Sequence, residues 1–174
     1  MKKTSLTAFG GIITALSVLI MFLSGVLPFL TYTLPAFAGA LLIIVIEESD
    51  IKWSLMVYVS VSLLSLILIP NKESAILYLF FFGYCAVLQS FLEEKFKSNL
   101  IRWSIKIPVF NLAIITAYML IINVLGIQVD EFNEYGKYGV FILLGIGNLT
   151  YIIYDNTLKN LTVLYNRHLH KKMR

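Results

Sequence analysis

Apolar residues in this chain come in long unbroken runs, with the polar residues gathered between them. Five runs read directly, at roughly 5–27, 53–69, 74–92, 105–126 and 138–158. A helix needs roughly 20 apolar residues to cross the hydrocarbon of a bilayer, and each run is close to that length. A sixth run, 34–47, is shorter. Pro28 and Pro35 bracket the stretch Phe29-Leu30-Thr31-Tyr32-Thr33-Leu34 at its start. Backbone polar groups cannot stay unpaired in hydrocarbon, so a spanning segment is a helix or part of a closed barrel. A barrel strand alternates with period two, and these runs do not, which selects helices. Past the last run, Leu158, Leu161, Leu164 and Tyr165 recur at helical spacing among Lys159, Asn160, Thr162 and Arg167. That pattern predicts an amphipathic extension over 158–174 lying on the cytoplasmic membrane surface.

Composition agrees with lipid as the solvent. Of the 174 residues, 59% are hydrophobic and 14% charged, too few charges to coat a water-soluble surface. Six crossings use nearly the whole length, so residues 1–174 read as one all-α membrane domain with no separate soluble part. Charge settles whether the short run crosses. If it does, with the N-terminus inside, then Lys2, Lys3, Lys52, Lys95, Lys97, Arg102, Lys106, Lys159 and the basic C-terminal tail all fall on the cytoplasmic side. Only Lys72 and Lys137 fall outside. If it does not cross, the basic group 95–106 moves outside, against the tendency of positive residues to stay on the cytoplasmic face. Six helices with both ends cytoplasmic, in the cell membrane, are therefore expected. Trp53 and Trp103 then lie near the inner interface. Met1-Lys2-Lys3 and Ala36-Phe37-Ala38 imitate the two ends of a signal peptide, but the apolar stretch between them is too long for one.

The chain offers little reactive chemistry. Glu47, Glu48, Asp50, Glu73, Glu93 and Glu94 sit at or beyond helix ends, and Asp155 is the one acid inside an apolar run. Lys159, one turn on, is its expected partner. The basic residues cluster at helix ends, where they suit a membrane surface rather than a nucleic acid. Glu47-Glu48-Ser49-Asp50-Ile51-Lys52 resembles the glutamate motif of membrane CAAX-type proteases, which also need histidines on other helices. The only histidines, His168 and His170, lie in the tail, two apart, where they would not share a helix face. No phosphate loop, metal-ligand spacing or nucleophile–base set is present. No catalytic residue, metal ligand or cofactor is expected, and the single Cys85 reads as a small packing residue.

The later helices do carry neutral polar and aromatic residues: Tyr78, Gly83, Tyr84 and Gln89; then Asn111, Thr116, Tyr118 and Asn123; then Gly145, Gly147, Asn148, Tyr151 and Tyr154. Asn148 and Tyr151 share a helix face, as do Asn111 and Tyr118. Amides in lipid must find partners, so they point into the bundle, either bonding helix to helix or lining a pocket. Such a pocket suits a small, partly polar organic molecule rather than an ion. Its candidate lining is Tyr84, Tyr118, Asn123, Asn148 and Tyr151, with Tyr32 on the proline-stiffened outer loop as part of a lid. Near the start of the chain, Gly10, Gly11 and Ala15 give a small-residue face that admits another helix, from within the bundle or from a partner.

In size, helix count, topology and the style of Leu6-Thr7-Ala8-Phe9-Gly10-Gly11-Ile12-Ile13-Thr14-Ala15-Leu16, the chain resembles the S components of energy-coupling factor (ECF) transporters. Gly11 to Ala15 approximates that family's Ala-x-x-x-Ala contact motif; a literal copy, Ala36 to Ala40, falls on the second helix. The resemblance implies a non-enzymatic subunit that captures a vitamin or similar micronutrient. It also implies a transmembrane coupling protein and two cytoplasmic ATPases as partners, docked on Gly10, Gly11 and Ala15. A small envelope scaffold protein, with the amides as helix glue, is the alternative; an intramembrane protease using Glu47 or Glu48 is the third.

Overall fold

In the computed structural model of the chain, residues 3–123 and 139–168 are described, and all regular structure among them is helical. Calls that fall on Lys2, on 124–138 (Lys137 among them) and on 169–174 lie outside the described residues. Helix α1 runs Lys3–Phe22, followed by two single 3₁₀ turns at Leu23–Gly25 and Pro28–Leu30. The short sixth run is two helices rather than one, α2 (Thr33–Ala40) and α3 (Leu42–Glu48). They meet at Leu41, where the Ile44 N–H bonds a carbonyl only three residues back and tightens the turn.

Helix α4 (Ile51–Leu68) is capped by Asp50, whose Oδ1 accepts from the Trp53 N–H at 2.9 Å, and it stops just before Pro70. Asn71 caps α5 (Lys72–Leu77), its Oδ1 accepting from the Ser74 N–H at 3.2 Å. Over Tyr78–Phe82 the helix widens into a π turn, closed by the Gly83 N–H on the Tyr78 carbonyl five residues back. It then continues as α6 (Gly83–Lys95). Helix α7 (Asn99–Asn123) holds Pro108 in its interior, and α8 runs unbroken over Gly139–His168. The expected run 138–158 and the part of the extension up to His168 are thus one continuous rod.

Four stretches are long and apolar enough to cross a membrane: Thr4–Gly25, Ile51–Leu68, Lys72–Lys95 and Asn99–Asn123. Their outward faces carry large bare side chains, with Leu100, Ile67 and Leu112 each more than 70% exposed. Water would not tolerate so much apolar surface, whereas lipid would. In lipid, close packing and internal hydrogen bonds hold helices together, because burial from water has already been spent on insertion.

The core shows that packing. Tyr78, Phe110, Tyr151, Met21 and Leu42 are almost wholly buried. Gly39 lets α2 touch the π turn: a Cβ there would stand 2.5 Å from the Phe82 carbonyl oxygen and 2.7 Å from the Tyr154 hydroxyl. That hydroxyl donates to the Ala36 carbonyl at 3.1 Å, which ties α8 to α2. At the far end of α8, Tyr165 donates to Glu48 of α3 at 2.7 Å. Burial and then the bond to Glu48 push the Tyr165 hydroxyl up to about 12, so at neutral pH it stays protonated and donates.

Candidate functional site

Three places in the fold carry polar chemistry or open space. The first lies between α7 and α8. Lys106 was expected in a cytoplasmic loop, but α7 begins at Asn99, which puts Lys106 two turns inside the helix, 1% exposed. There its Nζ donates to Asp155 Oδ1. Asp155 is itself 2% exposed, and its Oδ2 lies 2.6 Å from Lys159 Nζ, the partner that local spacing predicted. The second and stronger partner, 49 positions away, had no local signal. Trp103 completes the cluster, with both ammonium groups 5.4 Å from its ring centroid. Two cations share one carboxylate, and each is also screened by the same indole.

Above this cluster the two helices are joined twice more. Phe110 stacks on Tyr151, and the Asn148 Nδ2 donates to Asn111 Oδ1 at 2.8 Å. As the α7 position falls from 111 to 110 to 106, its α8 partner rises from 148 to 151 to 155. The helices are therefore antiparallel, zipped by an amide pair, a ring pair and an ion pair in turn.

The second place is a groove of about 890 Å³ along α1 and α4. Thr7, Gly10, Gly11, Thr14 and Ala15 line one wall, and Trp53, Met56 and Ser60 the other. Gly10 touches α4: a Cβ there would meet Val57 at 3.2 Å. A Cβ on Gly11 would meet nothing within 4 Å. The smallness of Gly10 thus serves the bundle, while that of Gly11 serves nothing inside the described chain.

The third place is the loop after α1, which is fastened to the α4–α5 turn. Tyr32 donates to Glu73 at 3.0 Å, Asn71 Nδ2 donates to Thr31 Oγ1 at 3.1 Å, and Ser74 donates to the Thr31 carbonyl at 2.8 Å.

The six candidate ligand contacts scatter among these surroundings. Tyr32 belongs to the loop fastening. Tyr84 lines two lipid-facing clefts of about 420 and 280 Å³, yet its hydroxyl, beside Cys85, is buried without a well-formed hydrogen bond. Tyr118 is half-buried on α7, and Asn123 is exposed at that helix's last residue. Asn148 and Tyr151 come together at the α7–α8 seam, where Asn148 Oδ1 is buried without a partner among the described residues. Tyr151 is 1% exposed and faces Phe110, Trp103 and Phe81 rather than open space. The volumes of the groove and the two clefts do not draw the six into one cavity.

Among the described residues no cluster of His, Cys, Asp and Glu is arranged to hold a metal ion. Comparison with known protein families, with characterised proteins and with solved structures finds no match for this chain.

Proposed function

We propose that the chain is the substrate-binding membrane subunit of an ECF-type uptake transporter, a six-helix protein with both ends cytoplasmic that takes up a vitamin or similar micronutrient. One observation carries the reading. Gly11 keeps open a long apolar groove beside α1 that no part of the described chain fills, in the stretch where the resemblance sets the contact with the coupling protein. A helix of that partner, packing small residue against small residue, fits such a groove. ATP hydrolysis belongs to the partners, and the chain performs no catalytic step.

Two further features suit the reading. The fastened loop around Tyr32 behaves as a lid that opens by breaking side-chain bonds rather than by unfolding a helix. Tyr84 and Asn148 each hold a buried polar atom without a partner, as residues waiting for a ligand's hydrogen bonds would. The scaffold reading draws instead on the Asn111–Asn148 bond, which uses the amides as helix glue.

Affinity purification from native membranes tests the proposal, comparing the wild-type chain with Gly11→Leu. The wild-type chain is expected to bring down a membrane coupling protein and two ATPases, and the variant to lose them while remaining folded. Recovery of envelope or division proteins without any ATPase would replace the transporter reading with the scaffold.

A further inference from the structure

Helix α7 is fastened to α8 on both sides of a proline. Pro108 has no N–H, so the Ser104 carbonyl one turn back loses its helical hydrogen bond, and the ring crowds that turn. Ile107, Pro108 and Val109 are all exposed, so no neighbouring side chain braces the weak point. On one side of it lies the Lys106–Asp155 ion pair; on the other lie the Phe110–Tyr151 stack and the Asn111–Asn148 bond. The first part of the helix, 99–107, is held to α8 through Lys106, supported by Trp103 against Tyr151. The second part is held by rings and amides that do not involve charge.

A buried ion pair normally resists opening, because separating it strands a charge in a medium that cannot solvate it. Here Asp155 has a second cation. Lys159, 35% exposed, already lies 2.6 Å from the other carboxylate oxygen. When Lys106 withdraws, Asp155 keeps a counter-ion, and the long Lys106 side chain can carry its ammonium toward the polar end of the bundle.

We propose that α7 is a two-part helix hinged at Pro108, and that an exchange of Asp155 from Lys106 to Lys159 releases its first part, 99–107, while the second part stays zipped to α8. The nine residues of that part span about 13 Å, so a bend of about 20° would move its tip by roughly 5 Å.

Hydrogen–deuterium exchange of the full chain in detergent micelles tests this. In the wild-type protein, amides of 99–107 exchange faster than those of 110–123. Pro108→Ala, which restores the missing bond at an exposed position, should slow 99–107 at least tenfold and leave 110–123 unchanged. Lys106→Met should speed 99–107 at least tenfold, again without touching 110–123.

Lys159→Met is the discriminating variant. A merely structural ion pair predicts that losing Lys159 loosens α7. The hinge predicts the reverse: the open state loses its counter-ion, and 99–107 exchanges more slowly than in the wild type. Faster exchange in Lys159→Met, or a response in Lys106→Met that spreads evenly over 99–123, would overturn the proposal. If Lys106→Met fails to fold, Pro108→Ala and Lys159→Met decide it alone.

Discussion

Tyr151 lies face to face on Phe110, with ring centroids 4.7 Å apart and planes 9° from parallel. Both rings are almost fully buried, and Trp103 meets the Tyr151 ring edge-on with centroids 6.2 Å apart. The stack is the middle rung of the α7–α8 zipper, between the amide pair and the ion pair.

Tyr151→Ala should therefore cost about 3–5 kcal/mol, the range for emptying a large aromatic site in a packed core. Tyr151→Phe keeps the stack and should cost far less. Thermal denaturation in detergent compares the two. A large loss in Tyr151→Phe as well would mean that the hydroxyl, not the ring, does the holding.

Removing the charge of Asp155 strands Lys106 in the interior. Asp155→Asn should destabilise by about 3–5 kcal/mol, whereas Lys106→Met combined with Asp155→Leu should be close to neutral. Denaturation of the two singles and the double yields the coupling energy. Additive effects would show that the pair is not a single interacting unit.

Two glycines should respond oppositely to the same change. Gly39→Ala drives a methyl group to 2.5 Å from the Phe82 carbonyl, and overpacking of this kind costs about 1–3 kcal/mol. Gly11→Ala meets nothing and should stay within about 0.5 kcal/mol. Melting temperatures check both, and a comparable loss at Gly11 would show that its open side is packed in the native protein.

The loop fastening should fail unequally. Asn71→Ala removes both the cap of α5 and the bond to Thr31, a loss of about 1–2 kcal/mol, while Tyr32→Phe removes one exposed bond worth about 1 kcal/mol or less. Limited proteolysis within 28–35 should accelerate more in Asn71→Ala. Equal rates in the two variants would mean that Asn71 does not govern the loop.

Much of the fold could be read along the chain, because an unbroken apolar run has few structures open to it. The helices at 51–68, 72–95 and 99–123 follow directly from that rule, and the Asp155–Lys159 pair follows from i,i+4 spacing. Lys106 escaped because its apolar run begins beside it. A lysine at the edge of a run looks like loop until the helix is seen to start seven residues earlier, at Asn99. Nothing local could join it to a carboxylate 49 positions on. The break at Leu41 escaped too, since the prolines that suggested irregular structure lie before the helix rather than at the break. Tyr151 and Asn148 were legible as inward-facing residues. Whether an inward face meets a neighbour or a space depends on how helices dock, which periodicity does not encode.

The π turn at Tyr78–Phe82 makes one residue of that helix surplus to the regular spiral. Shortening the segment by a single residue would let the ordinary four-residue bonding close over the gap. It would also turn everything on one side of the cut by about 100° relative to the other. Either Tyr78 or Cys85 would then leave the interior, so insertions and deletions at this point change which face of the rod looks inward while the rod itself survives.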